Sequence, residues 1–184
     1  MCIRDRVFCA QEWVGNEPFL LLLGDHIYTS DVDVSCAKQM LDTYEKANTS
    51  VIGITPMSAD IIHKAGCIGG AWQSDKTEGI LKISQIYEKP TVEYARENLQ
   101  VMGMPHDQFL GVFGMYILES DIFGLLEGEI TNNERLKGEF QLTTCLDKLR
   151  ETTGAIAYLV QGKYYDTGMP LFYRQTMIDY YANS

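Results

Sequence analysis

The 184-residue sequence predicts an α/β fold, on two observations. Residues 17–23, EPFLLLL, hold an apolar run that stops at Gly24-Asp25-His26, which reads as a short strand buried on both faces, as in a parallel sheet. Residues 34–46 then set Val34, Ala37, Leu41 and Tyr44 at helical spacing, and residues 51–55 form a second short strand, so the local order is β, α, β.

Taken in order, the first strand leaves Gly24 and Asp25 at its carboxyl end, the edge of an open α/β sheet where ligands collect. Asp31 or Asp33 is the expected N-cap of the helix that follows. Residues 66–72 and 80–87 are two β-forming arms around the polar SDKTEG, a hairpin-like insertion. Pro90 has no N–H for a ladder, so it closes the second arm and leads into a helix over 91–99. A loop over 102–108 precedes an apolar strand over 109–118. Helices are expected over 120–126, capped by Ser120, and over 140–152. A strand over 156–160 and an amphipathic helix over 171–181 complete the chain. Residues 1–6, MCIRDR, fit no element and read as a non-native leader before a single domain over 7–184.

Composition narrows the function. The longest apolar run is far short of the ~20 residues a membrane span needs. A formal net charge of −10 argues against nucleic acid, whose binding rests on Lys and Arg neutralising phosphates. Five scattered cysteines, without a CxxC pair, fit reduced thiols in the cytosol, and no signal peptide opens the chain. If the substrates are phosphates, an acidic protein needs a divalent cation and a few well-placed basic groups.

Two aspartates suit that need. Asp25 follows a buried strand and Asp166 precedes a helix, each beside a glycine, Gly24 or Gly168, that lets a ligand come close. Two converging carboxylates would suit Mg²⁺, which takes one or two protein carboxylates and fills its octahedron with water and phosphate oxygens. The plainer alternative is a turn aspartate and an N-cap aspartate. Glu88-Lys89-Pro90 pairs an acceptor with a mobile cation at a strand end, where a solvated end would look the same. Gly138 to Thr143, GEFQLT, sets acidic and amide groups at a helix start, which dipole complementarity alone would explain. Gly111 and Gly114 interrupt an apolar strand, and with Gly66 they mark close backbone approach or a bulge. His26, His63 and His106 lack ligand spacing and read as turn, surface and loop residues. No GxSxG, HExxH or Walker A pattern occurs, so covalent catalysis is not indicated. The tyrosines near the C-terminus read as packing or a subunit interface.

The ordered set LLLLGDHI, IYEKP, GVFGMYIL, GEFQLT and GKYYDTG resembles the sugar-phosphate nucleotidyltransferase family, most of all its bacterial UTP:glucose-1-phosphate uridylyltransferase branch. The resemblance spans about residues 7–181. It implies a Rossmann-like α/β/α fold with a mixed central sheet, incomplete at the N-terminus. It further implies Asp25 and Asp166 as Mg²⁺ ligands, Glu88 as acceptor for sugar hydroxyls and Lys89 as partner of the sugar phosphate. Gly66 would face the sugar through its backbone, with Gly111 and Gly114 on the strand beside it. The implied partners are a nucleoside triphosphate and a sugar 1-phosphate, in a full-length protein that is a cytoplasmic homo-oligomer. A thymidylyl- or other sugar-1-phosphate nucleotidyltransferase and a non-catalytic sugar-nucleotide-binding or regulatory relative are the alternatives.

Two departures stand out. Phe109 occupies a position where relatives usually carry a small polar residue such as Asn, which alters one sugar contact. The family's glycine-rich GxGTRxxP-type loop, which holds the triphosphate, does not occur in this sequence, nor does the segment that would read the base. Little or no turnover is therefore expected of this chain alone.

Overall fold

A computed structural model describes residues 3–73, 78–133, 141–168 and 170–182. Its main sheet has six strands in the order β1-β6-β3-β7-β5-β4, where β1 is Phe19–Leu22, β3 Ser50–Ser58, β4 Gly66–Trp72, β5 Ile80–Glu88, β6 Gln108–Leu118 and β7 Ala155–Leu159. β3 and β7 run parallel and the other pairings are antiparallel, so the sheet is mixed. β6 also pairs with β4 through Cys67–Gly111 and Ile68–Leu110, which returns the hairpin to the long central strand. A separate two-stranded ribbon joins β2, His26–Ser30, to β8, Gly162–Asp166.

Strand alternation divides the core into layers. On β6, Phe113, Met115 and Ile117 pack with Val51 and Val160 against Cys36 and Met40 of helix α3, Cys36–Ala47. Tyr116 and Leu118, with Ile52 of β3, turn the other way. They meet Ile122, Phe123 and Leu126 of α5, Asp121–Thr131, and Cys145, Leu146 and Leu149 of α6, Leu142–Thr152. A third cluster sets Ala95 of α4, Val92–Asn98, with Leu99 against Met57, Cys67 and Phe109. Helices therefore cover both faces of the sheet, as an α/β/α arrangement requires. Each fully buried Leu, Ile or Phe in these layers contributes roughly 1.5–3 kcal/mol.

Several local expectations are revised. β1 is an edge strand antiparallel to β6, and Leu22 is 44% exposed, so the apolar run is not buried on both faces. The α3 cap is Ser35, whose Oγ accepts from the Lys38 N–H at 3.2 Å, while Asp31 and Asp33 stay in the exposed loop. Ser120 precedes α5 but makes no side-chain cap bond. Residues assigned to no element form α1, Ile3–Phe8, with Val7 buried in the core and Ile3 and Phe8 against it. A short helix α2, Gln11–Val14, follows. β3 runs on through Pro56, which lies beyond the last residue paired with β7, so its missing N–H breaks no bond there. The turn within SDKTEG and the start of GEFQLT, including Glu139 and Phe140, fall outside the described residues. Helix α7, Pro170–Ala182, closes the chain.

Candidate active site

β1 ends at Leu22, and the chain turns through Gly24 and Asp25 into β2. The ribbon pairs His26 with Asp166, so the residue before β2 and the last residue of β8 come side by side. Thr167 secures the pair by donating twice to the Asp25 carbonyl, from its N–H at 2.7 Å and its Oγ1 at 2.8 Å. The Gly168 N–H donates to Asp166 Oδ1 at 2.7 Å. A Cβ on Gly168 would lie 3.0 Å from Asp25 Oδ2 and 3.1 Å from Asp166 Oδ1, so both carboxylates flank one point in space. Asp166 is therefore a strand-end residue, not the N-cap of α7, which begins at Pro170.

Asp166 borders a cavity of about 440 Å³, whose wall also includes Gly66, Glu88, Gly114, Tyr116 and Thr143. Glu88 ends β5 opposite Gly66 in the β4–β5 register. Its side chain is 11% exposed and accepts from the Thr143 hydroxyl through Oε2. A Cβ on Gly66 would lie 3.2 Å from that oxygen, 3.3 Å from Val112 Cγ2 and 3.4 Å from Thr143 Oγ1, so glycine keeps this wall open. Lys89 follows in the left-handed region at φ +48, uncommon for a residue with a side chain. Its N–H donates to the Ala65 carbonyl at 3.1 Å, and its ammonium lies 3.9 Å from Glu88 Oε1.

Gly114 has φ +83, where the ladder of β3 and β6 shifts register. A Cβ there would sit 2.6 Å from His26 Nδ1 and 3.1 Å from Leu23 Cδ1. Its carbonyl accepts from the Leu23 N–H at 3.1 Å and the Tyr28 hydroxyl at 2.6 Å, which ties the Asp25 turn to the cavity wall. Gly111 does not border the cavity. The space beside it is taken by Met57, whose Cε lies 2.7 Å from the Cβ position. Phe109 is 1% exposed and belongs to the α4 cluster.

The rings behind the aspartates are packed. His26 stacks on Tyr164 with centroids 4.8 Å apart, and Tyr28 and Phe113 complete the group. Burial pushes the Tyr28 hydroxyl up to about 12, with the Asp25 charge adding to it, so it stays a donor at neutral pH. Tyr164 is raised by burial and then by Asp166. Behind Glu88, burial pushes the Cys67 thiol up to about 12, with Glu88 contributing. The described cysteines, Cys9, Cys36, Cys67 and Cys145, are free thiols.

His26 is more than the turn residue the sequence implied: it opens β2, and its ring borders the cavity with Nδ1 buried and unpaired among the described residues. The alternation of HIYTS behind Asp25 was the available signal. His63 and His106 are exposed, as expected.

The nucleotidyl transferase family model matches residues 5–181. The chain belongs to that family. Among its relatives, the UTP–glucose-1-phosphate uridylyltransferase of Staphylococcus epidermidis is 33% identical over 174 residues, covering 95% of this chain and 54% of the relative. The enzyme of the same name from Streptococcus pneumoniae is 33% identical over 178 residues, covering 96% and 54%. The chain thus spans about half the length of the curated relatives it matches. A solved UDP-glucose pyrophosphorylase complexed with UDP-glucose has TM-score 0.81 and 30% identity, covering 99% of this chain and 62% of that one. A thymidylyltransferase-like structure at 18% identity and TM-score 0.63 shares the fold. Among the described residues no helix is long and apolar enough to cross a membrane.

Proposed function

We propose that this chain carries the metal and sugar half of a site that transfers a uridylyl group from UTP to glucose 1-phosphate, giving UDP-glucose and pyrophosphate. The observation that supports it best is the meeting of Asp25 and Asp166 around Gly168, with Asp166 on the wall of a cavity that also holds Glu88. Relatives named for this reaction add support.

The donor set fits Mg²⁺. Among the described residues no group of three or more His, Cys, Asp or Glu side chains could hold a metal ion. One or two carboxylate groups are what that ion takes, since it keeps water and phosphate oxygens as its other ligands. Asp25 and Asp166 would hold it, and when bound it would supply positive charge against the phosphates. In the reaction the sugar-phosphate oxygen attacks the α-phosphorus in line, the new O–P bond forms, and the bond to pyrophosphate breaks. No covalent link to the protein is made. Such chemistry asks for positioning and charge neutralisation. Glu88 accepts hydrogen bonds from sugar hydroxyls, while the Lys89 ammonium offsets charge on the attacking phosphate.

Isothermal titration with UDP-glucose, with and without Mg²⁺, tests this reading. Mg²⁺-dependent binding is expected, of similar strength for UDP-glucose and dTDP-glucose, because the segment that would read the base does not occur in this sequence. The base is tested on the full-length gene product with UTP against dTTP, where a clear dTTP preference would instead favour thymidylyl transfer. A coupled pyrophosphate assay with UTP and glucose 1-phosphate should show little or no turnover by this chain, and robust turnover would overturn the half-site proposal.

A further inference from the structure

Helix α6 reaches the sugar wall through two side chains one turn apart. Thr143 Oγ1 donates to Glu88 Oε2, and Asp147 Oδ1 accepts the Ile86 N–H at 2.9 Å. Arg150 in turn donates from Nε to Asp147 Oδ1 at 2.9 Å. The two periods match: four residues of helix rise about 6 Å, and two residues of strand span about 6.6 Å. Residues 143 and 147 can therefore engage 86 and 88 without bending either element. Three groups surround the Glu88 carboxylate. Thr143 occupies Oε2, the Lys89 ammonium faces Oε1, and Gly66 offers no side chain beside them. Thr143 itself is buried.

We infer that Thr143 is a positioning residue for sugar specificity: its hydroxyl fixes the plane of the Glu88 carboxylate and so decides which sugar hydroxyls that carboxylate can accept. The inference rests on the function proposed above. A free carboxylate on a flexible stem could rotate to follow a hydroxyl of either configuration. One tethered at Oε2 presents its remaining lone pairs in fixed directions, so an epimer whose hydroxyl points elsewhere loses the bond. Asp147 supports this by holding the strand end in register with the helix.

The test compares UDP-glucose with UDP-galactose by isothermal titration in Mg²⁺, on the full chain and on Thr143→Val, Thr143→Ser and Glu88→Gln. Valine keeps the shape and removes the donor. The Thr143→Val ratio of the two dissociation constants should fall by about tenfold, the scale of one charge-assisted hydrogen bond, and serine should restore it to within about threefold. In the Glu88→Gln background, Thr143→Val should change the ratio no further, since it acts through Glu88. An unchanged ratio in Thr143→Val, including an equal loss of both affinities, overturns the inference and leaves the proposed function standing. Binding of neither ligand by the unsubstituted chain overturns both.

Discussion

At the open end of the cleft, Asp25 and Asp166 are brought together by main chain: the β2–β8 ribbon sets their register, and Thr167 and the Gly168 N–H lock the turns. At the sugar wall, Glu88 is held by side chains, with Thr143 on its carboxylate and Asp147 on the strand below it. The difference separates two properties. The backbone-set carboxylates, Asp25 exposed and Asp166 half-buried, serve charge more than stability, whereas the wall is part of the packed fold. Function and stability should therefore respond differently to substitution in the two regions.

The largest expected effect is at the metal end. Asp25→Ala should weaken Mg²⁺-dependent binding of UDP-glucose by at least about 100-fold, because the ion supplies several kcal/mol of charge stabilisation. Unfolding free energy should move by less than about 0.5 kcal/mol, as for exposed surface substitutions generally. Asp166→Ala should match it in binding. Titration with and without Mg²⁺ checks both, and a loss of equal size in the absence of the ion would sever the two aspartates from metal binding.

Gly114 stands where the two regions join, and there the effect should fall on stability. Its φ of +83 disfavours any Cβ by about 1–2 kcal/mol, and a methyl 2.6 Å from the His26 ring must displace packed aromatic rings, a further 1–3 kcal/mol. Urea denaturation of Gly114→Ala should therefore show a loss of about 2–5 kcal/mol. A loss below about 1 kcal/mol would mean that the bulge relaxes freely and does not brace the Asp25 turn against the wall.

What the sequence made legible follows the same division. Asp25, Glu88, Lys89 and Asp166 stand in short motifs whose chemistry can be read locally, and the main helices and strands show in their periodicity. The strands β2 and β8 were missed because each is five residues long and stable only by pairing with the other across most of the chain. That pairing alone makes the aspartates neighbours, so no spacing along the chain could reveal it. β1 misled for a related reason. Its apolar run is real, but burial on both faces depends on a strand at its outer edge, and among the described residues only β6 pairs with it. Ser35 displaced Asp31 and Asp33 as the α3 cap because the cap is chosen by where the helix actually begins, at Cys36. Thr143 lay inside a recognised motif, yet its bond to Glu88 needs the packing of α6 on β5, which local pattern does not give.

The smallest expected effect is also the sharpest on geometry. In Gly168→Ala the new methyl would meet Asp25 Oδ2 at 3.0 Å and Asp166 Oδ1 at 3.1 Å, both at the ends of side chains on the open rim of the site. Such groups can swing aside, so the fold should keep its stability to within about 0.5 kcal/mol. What they lose in swinging is their common focus, and among the described residues no third His, Cys, Asp or Glu joins them to compensate. The Mg²⁺ concentration at half-maximal UDP-glucose binding should therefore rise about tenfold, a change of about 1.4 kcal/mol. An unaltered Mg²⁺ midpoint would show that the two carboxylates do not share an ion. A large fall in stability would show that Gly168 serves the backbone of the β8–α7 turn, because only a constraint on the main chain could make so small a methyl group felt by the whole fold.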